Sequence, residues 1–425
     1  MTTLVFTASL LGAMAFGLPV AMALLVSAAA LMVTQGQIDT TILSQKLIEG
    51  ADSFPLLAIP FFILAGELMN AGGLSKRIVD FALAWVGHIR GGLGLVAIFA
   101  TVVMSAISGS AAADTAAVAT LLIPMMRRAG YDVPRSSGLI AASGVLGPVI
   151  PPSIAMIVFG VIANVSIGKL LLAGVFPGLM IAFALVIAWL WVVRKDKVQA
   201  LPRQPLAQRL RAGVDGIWAL LMPFGIIGGL KCGIFTPTEA GVAACVYAFV
   251  IGVFVYRELP WRALYGLFVS AAKTTAIVVF MIAAALVSAW LITTSEVPQQ
   301  VAALLAPFVG QPILLMFVIM VLVVVVGTAL DFAPTLMILT PVLMPVIKQA
   351  GIDPVYFGVL FIINNSIGLI TPPVGIVLNV VCGISKISMA ELMKGLWPFL
   401  IAELIVLLLL VLFPPLVMVP LRWLT

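Results

Sequence analysis

The chain has 425 residues, of which 63% are hydrophobic and 9% charged, and its mean hydropathy is +1.26. These values exclude a soluble globular domain and predict an integral membrane protein. The net charge of +6 does not indicate a nucleic-acid partner, because the basic residues lie in short loops where the positive-inside rule accounts for them.

Eight apolar runs are candidates to cross the membrane, against a need of about 20 residues per helix. They predict an all-α polytopic bundle. The first run is expected to be one helix, and to be retained instead of cleaved, because no Lys or Arg precedes it as in a signal peptide. In chain order the runs are roughly Leu4 to Val33, Phe54 to Met69, Gly138 to Ile162, Leu170 to Val193, Ile217 to Leu230, Gly241 to Tyr256, Thr274 to Ile292 and Phe399 to Met418. Two further stretches, Gln37 to Ser53 and Arg257 to Lys273, have the pattern of interfacial amphipathic segments.

A re-entrant hairpin is predicted at about residues 93–126. This apolar stretch has basic residues at both ends, with Arg90 before it and Arg127 after it. Both ends are therefore expected on the cytoplasmic side. The chain then crosses outward in a helix that prolines and glycines interrupt, at about residues 136–163.

The chain also contains an internal duplication, which indicates two related halves. Ile123 to Ser153 recurs as Met344 to Gly375, with Pro124 matching Pro345, Ala129-Gly130 matching Ala350-Gly351, Pro134 matching Pro354, Gly147 matching Gly368, and Pro151-Pro152 matching Pro372-Pro373. The second half thus has its own hairpin, about residues 314–347, and its own broken helix, about residues 355–383. Only Lys348 is basic at the ends of the second hairpin, so this hairpin is expected to enter from the outer face.

Hairpins that enter from opposite faces form an inverted-topology repeat, which is typical of secondary transporters. The predicted units are a first repeat (1–193), a basic cytoplasmic linker with a connecting helix (194–235) and a second repeat (236–425). The loop charges place the N-terminus in the cytoplasm and the C-terminus in the periplasm of a bacterial inner membrane.

Each half interrupts its helices twice at membrane depth. The polar hairpin tips are residues 105–115 and 327–335, and the broken-helix loops are residues 147–153 and 364–375. Lipid cannot satisfy the freed backbone groups, so such breaks are expected to line a cavity or bind a ligand. Carbonyl and hydroxyl oxygens there suit Na⁺, and the N–H groups at half-helix N-termini suit an anion.

Two acidic residues lie near the tips and have two interpretations each. Asp114 is either a helix N-cap or a functional group, and Asp331 either closes a turn before Pro334 or takes part in coupling. The residues predicted to bind substrate or couple it to the ion are Asp114, Thr115, Gly147, Pro148, Pro151, Pro152, Ser153, Asp331, Thr335, Pro372 and Pro373.

Four motifs carry a resemblance to a known family: SGSAAADTAAVATLLIPMM, GPVIPPS, GIFTPTEAG and NNSIGLITPPVG. Over its whole length the chain resembles the large membrane subunit of tripartite ATP-independent periplasmic (TRAP) transporters. Within that family it is most similar to members that handle sugar acids such as diketogulonate.

The resemblance implies a sodium-driven importer of a small organic acid with an elevator mechanism. It implies two protein partners, a small four-helix membrane subunit and a periplasmic substrate-binding protein, in addition to membrane lipid. Sodium is the only metal expected, and no cofactor is expected besides it. The sodium sites are carried over to Ser108, Gly109, Ser110, Asn364, Asn365, Ser366 and Thr371, with backbone carbonyls contributing.

Other functional classes fit the sequence less well than a transporter subunit or stay open as alternatives. No P-loop is present. The only histidine, His88, is expected in a loop next to Arg90 and away from the Ser108 tip, so an enzyme is not expected. An ion channel and, above all, a stand-alone sodium/carboxylate symporter or antiporter remain alternatives.

Overall fold

The computed structural model describes residues 2–36, 40–194, 198, 200–295, 297–330, 332–372 and 375–425. In these residues all regular secondary structure is helical, and seven helices are long and apolar enough to cross a membrane by length and composition. The predicted all-α polytopic fold is therefore confirmed.

The first apolar run forms two helices, so the prediction of a single first helix is wrong. The chain turns at Gly17, where φ is +82°, and Pro19 directly precedes the second helix. The N-terminal helices are α1 (Thr2–Ala15), α2 (Val20–Gln35), α3 (Thr40–Ala51), α4 (Ala58–Ala71), which follows a 3₁₀ turn at Phe54–Leu57, and α5 (Leu74–Val86).

The next five helices contain the first hairpin and the first broken helix. They are α6 (Gly92–Ser108), α7 (Ala111–Arg128), α8 (Val133–Ser143) with a 3₁₀ turn at Gly144–Leu146, α9 (Ile154–Ala163) and α10 (Ile167–Val193). Gly109 joins α6 to α7 with a φ of +61°, a left-handed conformation that glycine adopts without steric cost.

The central helices differ from the sequence prediction in two places. They are α11 (Leu206–Lys231), α12 (Pro237–Val250), which continues as a π-helical turn at Ile251–Val255, and α13 (Trp261–Thr294). Arg209 belongs to α11 instead of a solvated loop, and its guanidinium donates to the Ala84 and Trp85 carbonyls at 3.0 and 3.1 Å. The stretch predicted to be interfacial, Arg257 to Lys273, runs without a break from Trp261 into the spanning helix.

The last seven helices contain the second hairpin and the second broken helix. They are α14 (Val297–Val309), α15 (Pro312–Ala329), α16 (Phe332–Gln349), α17 (Pro354–Gly368), α18 (Ile376–Ser385), α19 (Met389–Leu412) and α20 (Pro415–Leu424). The final apolar run is split near Pro414, where proline cannot continue the hydrogen bonding of a helix.

The ends of the two hairpins lie beside different helix ends. At the end of α7, the Arg127 guanidinium donates to the Ser385 carbonyl at the end of α18, at 2.6 Å. At the end of α16, Lys348 lines a cavity with Ala163, the last residue of α9. Each hairpin end therefore meets the broken helix of the other half.

Close packing fixes the helices around the first hairpin. Helices α8 and α19 meet at glycines, so that an ideal Cβ on Gly395 would lie 2.1 Å from the Pro134 carbonyl oxygen. The Trp189 indole N–H donates to the Gly91 carbonyl at 2.7 Å, and its ring stacks on Tyr131 at 5.9 Å between centroids. The start of α6 is thereby held against α10.

Candidate functional site

The tip of the first hairpin is organised around Asp114, in the first turn of α7. The Ser108 hydroxyl donates to Asp114 Oδ1 at 2.5 Å, and the Ser110 N–H donates to Ser108 Oγ at 3.1 Å. Ser110 Oγ in turn accepts from the Ala113 N–H at 3.4 Å, which makes Ser110 the N-cap of α7. The capping interpretation of Asp114 is therefore wrong, because its carboxylate turns back onto the hairpin tip.

This tip packs directly on the loop of the first broken helix. An ideal Cβ on Gly109 would lie 2.6 Å from the Pro152 carbonyl oxygen, and one on Gly147 would lie 2.7 Å from the Ala111 nitrogen. Both glycines are needed for this approach, since a side chain at either position would overlap the facing backbone. The structure thus brings the predicted residues Gly109, Gly147 and Pro152 together.

Ser153 closes the loop and starts α9. Its hydroxyl donates to the Pro148 carbonyl and accepts from the Met156 N–H at 3.2 Å, as an N-cap does. The preceding Pro151-Pro152 peptide bond is cis. The loop from Gly147 to Ser153 is buried throughout, so its backbone is shielded from lipid.

Two oxygen acceptors near this tip are buried without a partner. Asp114 and Thr115 are both 0% exposed, and neither Asp114 Oδ2 nor Thr115 Oγ1 has a hydrogen-bond partner among the described residues. Leaving buried polar atoms unpaired costs about 1–3 kcal/mol each. A bound cation would remove this penalty.

In the second half the buried polar groups are amides, and they lie on the broken helix α17 instead of the hairpin. The Asn364 side-chain N–H donates to the Met320 carbonyl of α15 at 2.6 Å, and that of Asn365 donates to the Phe332 carbonyl of α16 at 2.7 Å. The two amides thereby fasten α17 to both helices of the second hairpin. Their Oδ1 atoms are buried and lack a partner within the described part of the chain.

The other predicted residues of this half are less central. The hydroxyls of Ser366 and Thr371 donate to backbone carbonyls four residues earlier, at 2.7 and 2.8 Å. Each hydroxyl oxygen could therefore bind an ion only through its lone pairs. Thr335 is buried on α16, whereas Pro372 is exposed. Asp331 and Pro373 lie outside the described residues.

A cavity of about 230 Å³ lies between the two halves. Four helices begin at its wall: α7, α9, α16 and α18. It is lined by Gly109, Ala111, Ala112, Pro148, Ile154, Ala155, Val158, Val278, Met281, Phe332, Ala333, Leu336, Met337, Leu369, Ile376 and Val377. We refer to it as the central cavity.

The central cavity combines helix N-termini with an apolar wall. A helix N-terminus carries about half a positive charge, and the first residues of α7, α9, α16 and α18 all line this one small space. Every described lining residue is apolar, so these backbone ends are the polar feature of its wall. Such an arrangement favours a small anion.

Two features of the structure were missed in the sequence. Val278 and Met281 of α13 form one wall of the central cavity, and nothing in a Val or a Met in an apolar helix signals that position. Glu403 in α19 is 0% exposed, and neither of its carboxyl oxygens has a partner among the described residues. Its signal was an acidic residue inside the apolar run from Phe399 to Met418.

The comparison with protein families decides the class of this membrane protein. The family model described as "Tripartite ATP-independent periplasmic transporter, DctM component" matches residues 7–416. The chain belongs to this family. The DctM-family assignment makes it a transporter component and not an enzyme, as predicted.

Curated relatives in the DctM family cover the chain from end to end. It is 51% identical to the 2,3-diketo-L-gulonate TRAP transporter large permease protein YiaN of Escherichia coli (strain K12), over 100% of both chains. It is 37% identical to the sialic acid TRAP transporter large permease protein SiaM of Vibrio cholerae, over 95% of both chains. The predicted resemblance to TRAP large permeases is confirmed.

The fold also resembles that of a solved transporter, the YdaH protein of Alcanivorax borkumensis, whose topology is described as unusual. The TM-score is 0.65, with 88% of this chain and 87% of that chain covered, at 14% sequence identity. At this identity the likeness concerns the fold alone.

Proposed function

We propose that this DctM-family chain is the large permease subunit of a sodium-coupled importer that carries a small organic acid across the bacterial inner membrane. The observation that carries the proposal is the convergence of four helix N-termini on the central cavity. A sugar acid is the proposed substrate class, since the diketogulonate and sialic acid permeases are close relatives.

Buried acceptors beside the cavity support sodium as the coupling ion. Asp114 and Thr115 supply unpaired oxygens in the first half, and Asn364 and Asn365 supply them in the second. Hard oxygen ligands of this kind suit Na⁺, and among the described residues no group of three or more His, Cys, Asp or Glu could hold a transition metal. One ion beside each hairpin tip would offset the charge of the anion.

Coupling to sodium can supply the energy that uptake requires. Each elementary charge that crosses the membrane potential contributes about 2.3 kcal/mol per 100 mV. Two sodium ions carried with a monoanion would move one net positive charge inward, so the potential as well as the sodium gradient would drive uptake.

The helix ends support alternating access between two inverted repeats. The end of the first hairpin contacts the end of α18, and the end of the second shares a cavity with the end of α9. We infer that the hairpins and broken helices move as one unit against α13, which supplies the wall at Val278 and Met281. The proposed partners are a small membrane subunit and a periplasmic binding protein, as the tripartite family description requires.

The test is uptake into proteoliposomes that contain this chain and its small subunit. Labelled 2,3-diketo-L-gulonate is supplied with its purified binding protein, with and without an inward sodium gradient. We expect accumulation only when both sodium and the binding protein are present. A potassium gradient of equal size serves as the control for osmotic and ionic effects.

Two other outcomes would replace the proposal. Accumulation with sodium but without the binding protein would identify a stand-alone sodium/carboxylate symporter. Flux that needs no gradient would identify a channel.

A further inference from the structure

A second cavity, of about 620 Å³, opens at the other ends of the helices that wall the central cavity. We call it the lysine vestibule. It is lined by Lys46, Glu49, Gly50, Ile162, Ala163, Leu286, Ala289, Trp290, Thr293, Pro341, Met344, Pro345 and Lys348. It is larger than the central cavity and contains charged side chains.

The lysine vestibule continues the path of the central cavity along three shared helices. On α9 the lining passes from Val158 to Ile162, and on α16 from Met337 to Pro341. Four residues of α-helix correspond to about 6 Å. The vestibule therefore starts about one helical turn beyond the central cavity.

Its position along the chain places it at the outer face. Helix α13 begins at Trp261, between the basic residues Arg257 and Arg262, and ends near the vestibule. Helix α10 starts beside the end of α9 and runs to Arg194. Basic loops mark the cytoplasmic side, so the opposite ends of these helices lie on the periplasmic side.

The charges of the vestibule are held on two different elements. Lys348 is exposed in the last turn of α16. Lys46 lies on α3, where its ammonium is 2.6 Å from Glu49 Oε2. Helix α3 is fixed against α13, because an ideal Cβ on Gly50 would lie 2.9 Å from the Ala283 Cα.

The hydrogen bond from Lys46 lowers the pKa of the Glu49 carboxyl, which keeps it ionised at neutral pH. Glu49 thus neutralises Lys46, and among the described residues that line the vestibule Lys348 is the charge without an ion-pair partner. An approaching organic anion would be attracted to Lys348 and repelled by Glu49.

We propose that the lysine vestibule is a periplasmic capture site for the organic anion, with Lys348 attracting its carboxylate before the anion passes between α9, α13 and α16 to the central cavity. The proposal rests on the proposed function, because it assumes that the cargo is an anion. Lys348 acts in it as a positioning residue for transport.

Opposite charge changes should have opposite effects. In sodium-driven uptake of 2,3-diketo-L-gulonate into proteoliposomes, we expect Lys348→Gln to raise the half-saturating concentration of the loaded binding protein about threefold at low ionic strength, and Glu49→Gln to lower it about twofold. Lys348→Arg keeps the charge and should retain the wild-type value. Raising ionic strength with choline chloride should shrink both shifts, since salt screens exposed charges.

Lys169→Gln is the matched control, because Lys169 is an exposed lysine at the same face that does not line the vestibule. The affinity of the binding protein for each variant is measured separately on immobilised permease. We expect that affinity to be unchanged in all four variants.

Three results would overturn the inference. One is equal half-saturating concentrations for wild type, Lys348→Gln and Glu49→Gln while sodium-driven uptake persists. The second is the same shift in Lys169→Gln, and the third is a shift that reproduces a change in binding-protein affinity. Loss of sodium-dependent uptake in the wild type would instead contradict the proposed function.

Discussion

Single atoms decide how the two halves can hold an ion. Asp114 uses one carboxylate oxygen to accept from Ser108 and leaves the other without a partner among the described residues. Asn364 and Asn365 use their side-chain N–H groups to hold the second hairpin. Their Oδ1 atoms also have no partner among the described residues. In both halves, the atoms that hold neighbouring groups in place are distinct from the atoms left to bind.

Asp114→Asn should separate these two roles. The variant keeps the shape of the side chain but removes the charge that would face a buried cation, so we expect the half-saturating sodium concentration for uptake to rise at least about tenfold. Sodium titration of uptake at saturating substrate measures this. Asp132→Asn is the control, because Asp132 caps α8 and asparagine caps helices equally well. An unchanged sodium dependence in Asp114→Asn would show that no sodium ion binds at this tip.

Gly109→Ala tests the contact between the hairpin tip and the broken helix. A Cβ at this position would lie 2.6 Å from the Pro152 carbonyl oxygen, at a φ of +61° that alanine rarely adopts. We expect transport to fall at least about tenfold while the protein still inserts in the membrane. Gly168→Ala is the control, since no atom lies within 4 Å of its added Cβ. Full transport in Gly109→Ala would contradict the prediction, because it would show that transport tolerates a displaced hairpin tip.

At the scale of helices, sequence reasoning succeeded where composition and motifs carry the signal. The apolar composition predicted the all-helical membrane fold, and the motifs predicted the family. The break of the first apolar run at Gly17 and Pro19 was missed, because the run was judged by hydropathy alone and not by the backbone effects of glycine and proline. Helix breaks of this kind are local and can be found in a sequence.

Features that depend on distant packing could not be found in this way. The wall supplied by Val278 and Met281 depends on which helix faces the central cavity, and their apolar side chains look the same whether they meet lipid or substrate. Arg209 likewise resembles a loop charge in the sequence, yet its guanidinium binds two carbonyls at the end of α5. Such roles are set by tertiary contacts between segments far apart in the chain.

Helix crossing at Gly395 gives a prediction for stability. Gly395→Ala would place a Cβ 2.1 Å from the Pro134 carbonyl oxygen, so α8 and α19 must separate, and we expect a loss of about 1–3 kcal/mol. Thermal unfolding of the purified protein in detergent measures this as a lower midpoint. Gly383→Ala meets no atom within 4 Å and should be neutral or slightly stabilising, so equal midpoints for the two variants would contradict the packing at this crossing.

On the scale of the whole molecule, the two hairpins should end on opposite sides of the membrane. Arg128 and Lys348 are exposed at the ends of α7 and α16. In a background with Cys232, Cys245 and Cys382 replaced by serine, we expect an impermeant maleimide to label Lys348→Cys in intact cells. Arg128→Cys should be labelled only after the membrane is made permeable.

Labelling of both cysteines from one side would contradict the inverted repeat. A third cysteine, at Lys169, provides an internal standard for the outer face, because α10 starts there and runs to the basic residue Arg194. The measurement needs no substrate and is therefore independent of the transport assays.

The apolar wall of the central cavity has a consequence for how this permease evolves. Backbone N–H groups recognise negative charge, but the described wall has no side chain that can distinguish one pattern of hydroxyl groups from another. Under the proposed function, discrimination between sugar acids would then fall to the binding protein, before the anion reaches the membrane. On this proposal, a change in the binding protein alone would be enough to give the transporter a new substrate, without a change in the permease.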